Sequence, residues 1–208
     1  MSRIREPKIV MNSKQLIETI KIHNGSIANI EYHNARFNRT QKELFNINNK
    51  IQLQNYITPP KDNQLYRCRV WYAKEIEKIE YIPYMPKEQR RFIVVESDID
   101  YRYKYANRQA LDELKTLHST YDDIIIAKDG LLCDTTIANI AFFDGSSWYT
   151  PSKPLLKGTM RAFLLDKGNL KEKDIIIDDI KNYRGFAIMN AMIGFKIVNN
   201  FSIRTFNG

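Results

Sequence analysis

Apolar positions along the chain fall into short runs whose period changes from two to about 3.6 and back. Residues 15–22 (QLIETIKI) have the branched, apolar character of a strand, and Asn24-Gly25 is a two-residue hairpin signal, so residues 26–32 are expected to return as its partner. Residues 33–45 change to helical spacing. Phe37 and Leu44 share one face, Arg36, Arg39, Gln41 and Lys42 lie mostly elsewhere, and Asn34 is placed to cap the helix. Pro59-Pro60 and the polar residues after it break the pattern before a long hairpin, 64–73 with 77–84, rich in aromatic and branched side chains.

Pro83, Pro86 and the charged run 87–91 read as a linker between a small N-terminal unit, 1–86, and a larger C-terminal one, 87–208. A strand at 92–96 and a helix at 105–118, with Leu111, Leu114 and Leu117 inward, open the second unit. Strands follow at 123–127 and, past an Asp129-Gly130 turn, from 131 onward, at 140–143 and at 147–150. Residues 158–167 form a helix that Gly168 can end, and a strand at 174–177, a helical piece at 178–184 and a long strand at 186–197 complete the chain. This order predicts an α+β protein of two units, the second built on a twisted or barrel-like sheet.

With 208 residues, 43% of them hydrophobic and 27% charged, the composition is that of an ordinary globular protein. Nothing in it is long and apolar enough to span a bilayer, and the N-terminus lacks the apolar core of a signal peptide. Cys68 and Cys133 suit a reduced compartment and form no metal motif, which predicts a cytoplasmic protein without membrane or metal. The net charge of +8 is spread along the chain rather than clustered, so an anionic small molecule is expected as partner and nucleic acid is not.

Candidate chemistry concentrates between Lys104 and Arg161. A lysine, an acid with two hydroxyls beyond it (Asp134-Thr135-Thr136) and a Gly158-Thr159 helix start are parts that could hold a phosphorylated aldehyde: an imine on the amine, a protonated ring nitrogen on the acid, and a phosphate on hydroxyls and helix N–H groups.

The order and wording of these pieces resemble the class IV aminotransferases, the pyridoxal-phosphate enzymes of fold type IV, from about Ile17 to Val198. Glu18-Thr-Ile and Ile30-Glu-Tyr-His-Asn-Ala-Arg36 are similar to that family's strand and His-x-x-Arg helix start, which points to Arg36 as a phosphate contact. Lys104 looks like the Schiff-base lysine. Asp134 falls where the family usually has glutamate, so it would pair with the ring nitrogen from one methylene further away. Thr135, Thr136 and Asn139 match the residues after that acid, and Lys157-Gly-Thr-Met-Arg161 matches the phosphate-binding helix start, implying Gly158, Thr159 and Met160.

What the resemblance implies is a small N-terminal α/β domain and a larger barrel-like domain with pyridoxal 5'-phosphate between them, in a homodimer. The hairpin aromatics Trp71, Tyr72 and Tyr81 would supply apolar surface for that dimer. Met189-Asn-Ala-Met resembles aminodeoxychorismate lyases, enzymes of folate biosynthesis, more than the hydroxyl-rich stretch of transaminases. Two departures stand out: little precedes Glu18, and the strand Tyr66–Tyr72 lacks the Arg-Gly ending common in transaminases. For an anionic substrate the candidates are Asn190 and, by strand alternation, whichever of Arg67 and Arg69 faces inward.

Overall fold

The computed structural model describes residues 15–205. Its first half is a four-stranded antiparallel sheet in the order β2-β1-β3-β4, with β1 (Leu16–His23), β2 (Ser26–Ile27), β3 (Tyr66–Tyr72) and β4 (Ile76–Pro83). Helix α1 (Ile30–Phe45) covers one face. Asn24 and Gly25 both take positive φ, 50° and 70°, which closes the predicted hairpin. The returning strand is far shorter than the expected 26–32, because Asn29 (φ 50°) turns the chain left-handed and α1 starts at Ile30. Asn34 therefore lies within the helix and caps nothing. Its side chain instead bonds Gln52, Gln54 and the Leu53 amide, at 2.8–3.0 Å, and ties the following loop down.

Alternation along β1 and β3 sorts their side chains. Leu16, Ile20, Ile22, Cys68, Val70 and Tyr72 pack on Phe37 and Leu53, while the opposite face looks toward the second half of the chain. Tyr72 is thus a core residue, its ring 4.4 Å from that of Phe37, and Tyr81 binds the Thr58 amide through its hydroxyl. The expected apolar interface surface on this hairpin is corrected accordingly: Tyr72 is 1% exposed and contributes none.

The second half forms a nine-stranded sheet. Its elements are β5 (Arg91–Glu96), α2 (Gln109–Leu117), β6 (Asp123–Lys128), β7 (Leu131–Thr135), β8 (Asn139–Phe143), β9 (Trp148–Pro151), α3 (Thr159–Asp166), β10 (Lys171–Lys173), β11 (Gly185–Asn190), β12 (Gly194–Ile197) and β13 (Ser202–Arg204). The order β10-β9-β8-β7-β6-β5-β13 branches at β8, which also pairs with the β11–β12 hairpin. Its central strands are continuous apolar runs because both faces are covered, as in Ile124–Ile126, fully buried in alternating directions, whereas the edge strands β10 and β13 are polar and largely exposed.

Several boundaries move for identifiable reasons. The predicted 105–118 helix begins only at Gln109, where the Asn107 side chain accepts the Gln109 amide hydrogen, because residues 104–106 are bonded to β1 instead. Leu111 is buried as expected, but Leu117, at the frayed end, is 78% exposed. The expected strand 186–197 is a hairpin: Asn190 Oδ1 accepts the amides of Met192 and Ile193, and Gly194 takes φ 69°. The 174–177 strand shrinks to one bridge, Leu131 with Ile176, beside β10. Among the described residues, no helix is long and apolar enough to cross a membrane.

Candidate active site

A cavity of about 960 Å³ lies between the outer face of the small sheet and the β7–β8 and β11–β12 turns. Lys104 reaches it from an irregular segment that continues the edge of β1. The Ile17 amide donates to the Lys104 carbonyl at 3.0 Å, and the Ala106 amide donates to the Gln15 carbonyl at 2.9 Å. Backbone pairing thus fixes the lysine against the first sheet although it follows β5 by eight residues. Burial, with the nearby Arg36 guanidinium, brings the Lys104 ammonium down to about 7, so near neutral pH a large fraction is an uncharged amine.

Asp134 ends up on the far wall, at the last turn of β7. It and Asn139 are the registered pair between β7 and β8, and the intervening residues 135–138 make a tight turn. The Asn139 amide donates to Asp134 Oδ1 at 2.7 Å and to the Leu156 carbonyl at 2.8 Å, and the Leu156 N–H donates to Asp134 Oδ2 at 2.9 Å. Only 4% exposed and held by neutral donors, the carboxyl is pushed by burial up to about 7. A Cβ at Gly158 would collide with Asn139 Oδ1, so a side chain there would displace the amide that holds Asp134.

The other buried acid has the opposite environment. Glu18 points to α1 and accepts Arg36 Nε at 2.8 Å, Arg36 Nη2 at 2.5 Å and His33 Nδ1 at 2.7 Å. Burial alone would raise its pKa, but Arg36 and His33 outweigh it and hold the carboxyl at about 2. Burial keeps His33 below its ordinary pKa against the pull of Glu18, so the ring is neutral and its Nε2 accepts the Thr159 hydroxyl at 3.4 Å. This chain joins Arg36 to the start of α3, where the amides of Thr159, Met160 and Arg161 precede the first helical bond, Ala162 N–H to Gly158 carbonyl.

The predicted site residues therefore converge with one exception. Arg36, Lys104, Asp134, Thr135, Thr136, Asn139, Gly158, Thr159, Arg67, Arg69 and Asn190 all line the cavity. The Met160 side chain does not; its sulfur meets the Asn29 amide at 3.7 Å, which leaves only its backbone N–H for a ligand. Some converging side chains are already committed. The Thr136 hydroxyl donates to Asp123 at 2.6 Å, Thr135 Oγ1 accepts the amides of Ile137 and Ala138, and Asn139 serves Asp134. The choice between Arg67 and Arg69 is also corrected: residues two apart on a strand share a face, and both turn to the cavity.

Glu18, His33, Arg108 and Asp123 carried no assignment from the sequence. A lone acid in the apolar strand LIETIKI was the available signal for Glu18; nothing local marked Asp123.

The set of groups fits pyridoxal phosphate: a low-pKa amine, a buried acid hydrogen-bonded by neutral donors and facing the cavity, and an arginine beside free helix N–H groups. Comparisons agree. Residues 79–201 match the amino-transferase class IV family. An uncharacterized protein of Haemophilus influenzae is 39% identical over 188 residues, 86% of this chain and 98% of that protein. A "putative aminodeoxychorismate lyase" of Schizosaccharomyces pombe is 25% identical over 87% of each chain. The solved structure of a "putative 4-amino-4-deoxychorismate lyase" from Haemophilus somnus 129pt superposes with TM-score 0.79 at 32% identity, covering 88% of this chain and 99% of that one. The fold alone is shared with a hypothetical aminotransferase from Mycobacterium tuberculosis in its PLP-bound form, TM-score 0.73 at 14% identity, covering 96% and 88%. On the match across its second half and the geometry of its cavity, this chain belongs to the class IV aminotransferases and is an enzyme of that family.

Proposed function

We propose that the chain is a 4-amino-4-deoxychorismate lyase, which uses pyridoxal phosphate to expel pyruvate and leave 4-aminobenzoate. The observation that carries this reading is Met189-Asn190-Ala191 in the cavity wall: where transaminases present hydroxyls, this wall presents an amide and a methyl group. The relatives named for that lyase activity support it.

In this reading Arg36, Thr159 and the free N–H groups at the start of α3 would hold the phosphate, Asp134 would pair with the ring nitrogen, and Lys104 would be the attachment point. When bound, the cofactor supplies a carbonyl that captures the substrate amine and a cationic ring that accepts electrons. Lys104 Nζ, near neutrality in this site, is the general base for the proton on the carbon bearing the substrate amine. Once charged, the same ammonium can return that proton as the product leaves. Asp134 is kept in place by Asn139 and the Leu156 amide, so its charge meets the ring without reorganisation. Asn190 keeps one amide hydrogen for substrate, the other going to the Ile137 carbonyl.

The proposal includes a homodimer, because Met85, 86% exposed at the cavity rim, leaves one side of the site to be covered by a second chain. Active monomers in sedimentation at working concentration would defeat that part.

The decisive test is pyruvate released per mole of enzyme from aminodeoxychorismate with no keto-acid acceptor. Many equivalents support the lyase. No pyruvate, together with a cofactor band bleached by an ordinary amino acid, assigns the chain to the transaminases; a protein that never takes up cofactor is neither.

A further inference from the structure

We propose that His33 is a positioning residue for the phosphate: it takes up a proton when a dianion binds at the start of α3, and so frees the Thr159 hydroxyl to point at that dianion. This rests on the reading above only in placing the phosphate between Arg36 and α3.

Thr159 has one hydroxyl hydrogen and two claims on it. Glu18 is ionised and 2.7 Å from His33 Nδ1, so that nitrogen carries the neutral ring's hydrogen and Nε2 is left as an acceptor. Nε2 then takes the Thr159 hydroxyl hydrogen at 3.4 Å, a long bond, although Thr159 also lines the cavity. His33 is fully buried, so a Thr159 hydroxyl turned to a ligand would strand Nε2 without a partner. Protonation of the ring satisfies both claims. With a hydrogen on Nε2, His33 donates to Thr159 Oγ1, whose own hydrogen is then free for the anion.

The charges around the ring decide when that proton is held. Glu18 faces it from β1, Arg36 from the next turn of α1, Lys104 from the segment paired with β1, and Thr159 from α3. Burial lowers the basicity of His33 most; Glu18 raises it, and Arg36 and Lys104 lower it further. Glu18 and Arg36 neutralise one another, so a cation on His33 has no counter-charge to itself. A dianion at the start of α3 supplies one on the Nε2 side of the ring. The proton comes from solvent, and the buried set of Glu18, Arg36, His33 and dianion then sits closer to neutral.

The test uses the full-length, cofactor-free protein with sulfate, which stays a dianion across the neutral range and forms no imine with Lys104. Nitrogen NMR of isotope-labelled histidine reads the ring directly. The chain has three histidines, and His23→Gln with His118→Gln leaves the signals of His33 alone. At pH 7 without sulfate, His33 should show Nδ1–H and a bare Nε2. Saturating sulfate should protonate Nε2 and raise its titration midpoint by about one pH unit or more. The ratio of sulfate affinities between wild type and Thr159→Val cancels the titrations of Lys104 and Asp134. It should be about tenfold at pH 6 and fall toward one by pH 9. Sulfate bound at the α3 amides with Nε2 still bare at pH 6 would overturn the proposal and leave the phosphate placement standing. So would an Nε2–H in the sulfate-free protein at pH 7, or an affinity ratio that does not change with pH. Sulfate that leaves the α3 amides unmoved would overturn the phosphate placement and this proposal together.

Discussion

The Asn139 amide donates to Asp134 at 2.7 Å while its second hydrogen goes to the Leu156 carbonyl at 2.8 Å. Asn139 is therefore the clamp that sets the acid's position, and Leu156 N–H closes the clamp from the other side. A shorter acid than the family's usual glutamate is held on a turn that admits no freedom. On the function proposed above, Asp134→Asn should cut turnover on the order of thousands-fold, because it would remove the charge meant to pair with the ring nitrogen. The measurement is kcat at saturating substrate. Near-normal turnover would mean that another acid holds the ring.

The same substitution should stabilise the cofactor-free protein. Folding raises the Asp134 pKa from 3.8 to about 7, so the folded state holds this proton more tightly than the unfolded chain. Stability from that proton is full below pH 3.8, falls as pH rises, and is gone above about 7. At pH 8 an asparagine avoids burying the charge, but its NH2 must face either the Asn139 amide or the Leu156 N–H, so the net gain in denaturant melts is about 1–2 kcal/mol. A lower midpoint for Asp134→Asn at pH 8 would contradict the burial described here.

Lys104 shifts the opposite way, from 10.5 to about 7. The unfolded chain then holds the proton more tightly between pH 7 and 10.5, so this group's contribution improves as pH rises through that window. In the cofactor-free protein the neutral amine is the form that can capture an aldehyde, so the rate of pyridoxal-phosphate uptake should rise with pH through about 7. Borohydride reduction of the loaded enzyme should label Lys104; label on Lys128 or Lys157 would refute the assignment.

Glu18 is the acid on which the fold leans. Its pKa falls from 4.5 to about 2, so its stabilisation is complete above pH 4.5 and is lost as pH falls toward 2. Glu18→Gln leaves Arg36 buried without its counter-charge, and a loss of about 3–5 kcal/mol is expected in urea unfolding at pH 7. Wild-type stability at pH 7 in that variant would show that Arg36 finds another partner.

Gly158→Ala places a methyl group against Asn139 Oδ1. The clash should cost about 1–3 kcal/mol and, by displacing the clamp on Asp134, weaken cofactor retention on dialysis. Full retention would mean that the 155–158 loop yields without moving the acid.

Local chemistry was enough for the sequence to determine the turns and most strands. Asn24-Gly25 and Asp129-Gly130 both take the positive φ of two-residue hairpin turns, and the branched apolar run 123–127 suits a sheet covered on both faces. Motif order also brought Lys104, Asp134 and Gly158-Thr159 together on paper. Only the tertiary structure decided which of those side chains remain free. The Thr136 hydroxyl faces Asp123 from thirteen residues away, and Asn139 spends one amide hydrogen on Asp134 and the other on the Leu156 carbonyl. Tyr105 and Ala106, at the start of a helix pattern, read as helix until β1 claimed the backbone groups of residues 104–106. Glu18 and Arg108 acquire meaning the same way, because an ion pair eighteen residues apart and a guanidinium set between Tyr101 and Thr136 depend on long-range packing that no window of sequence contains.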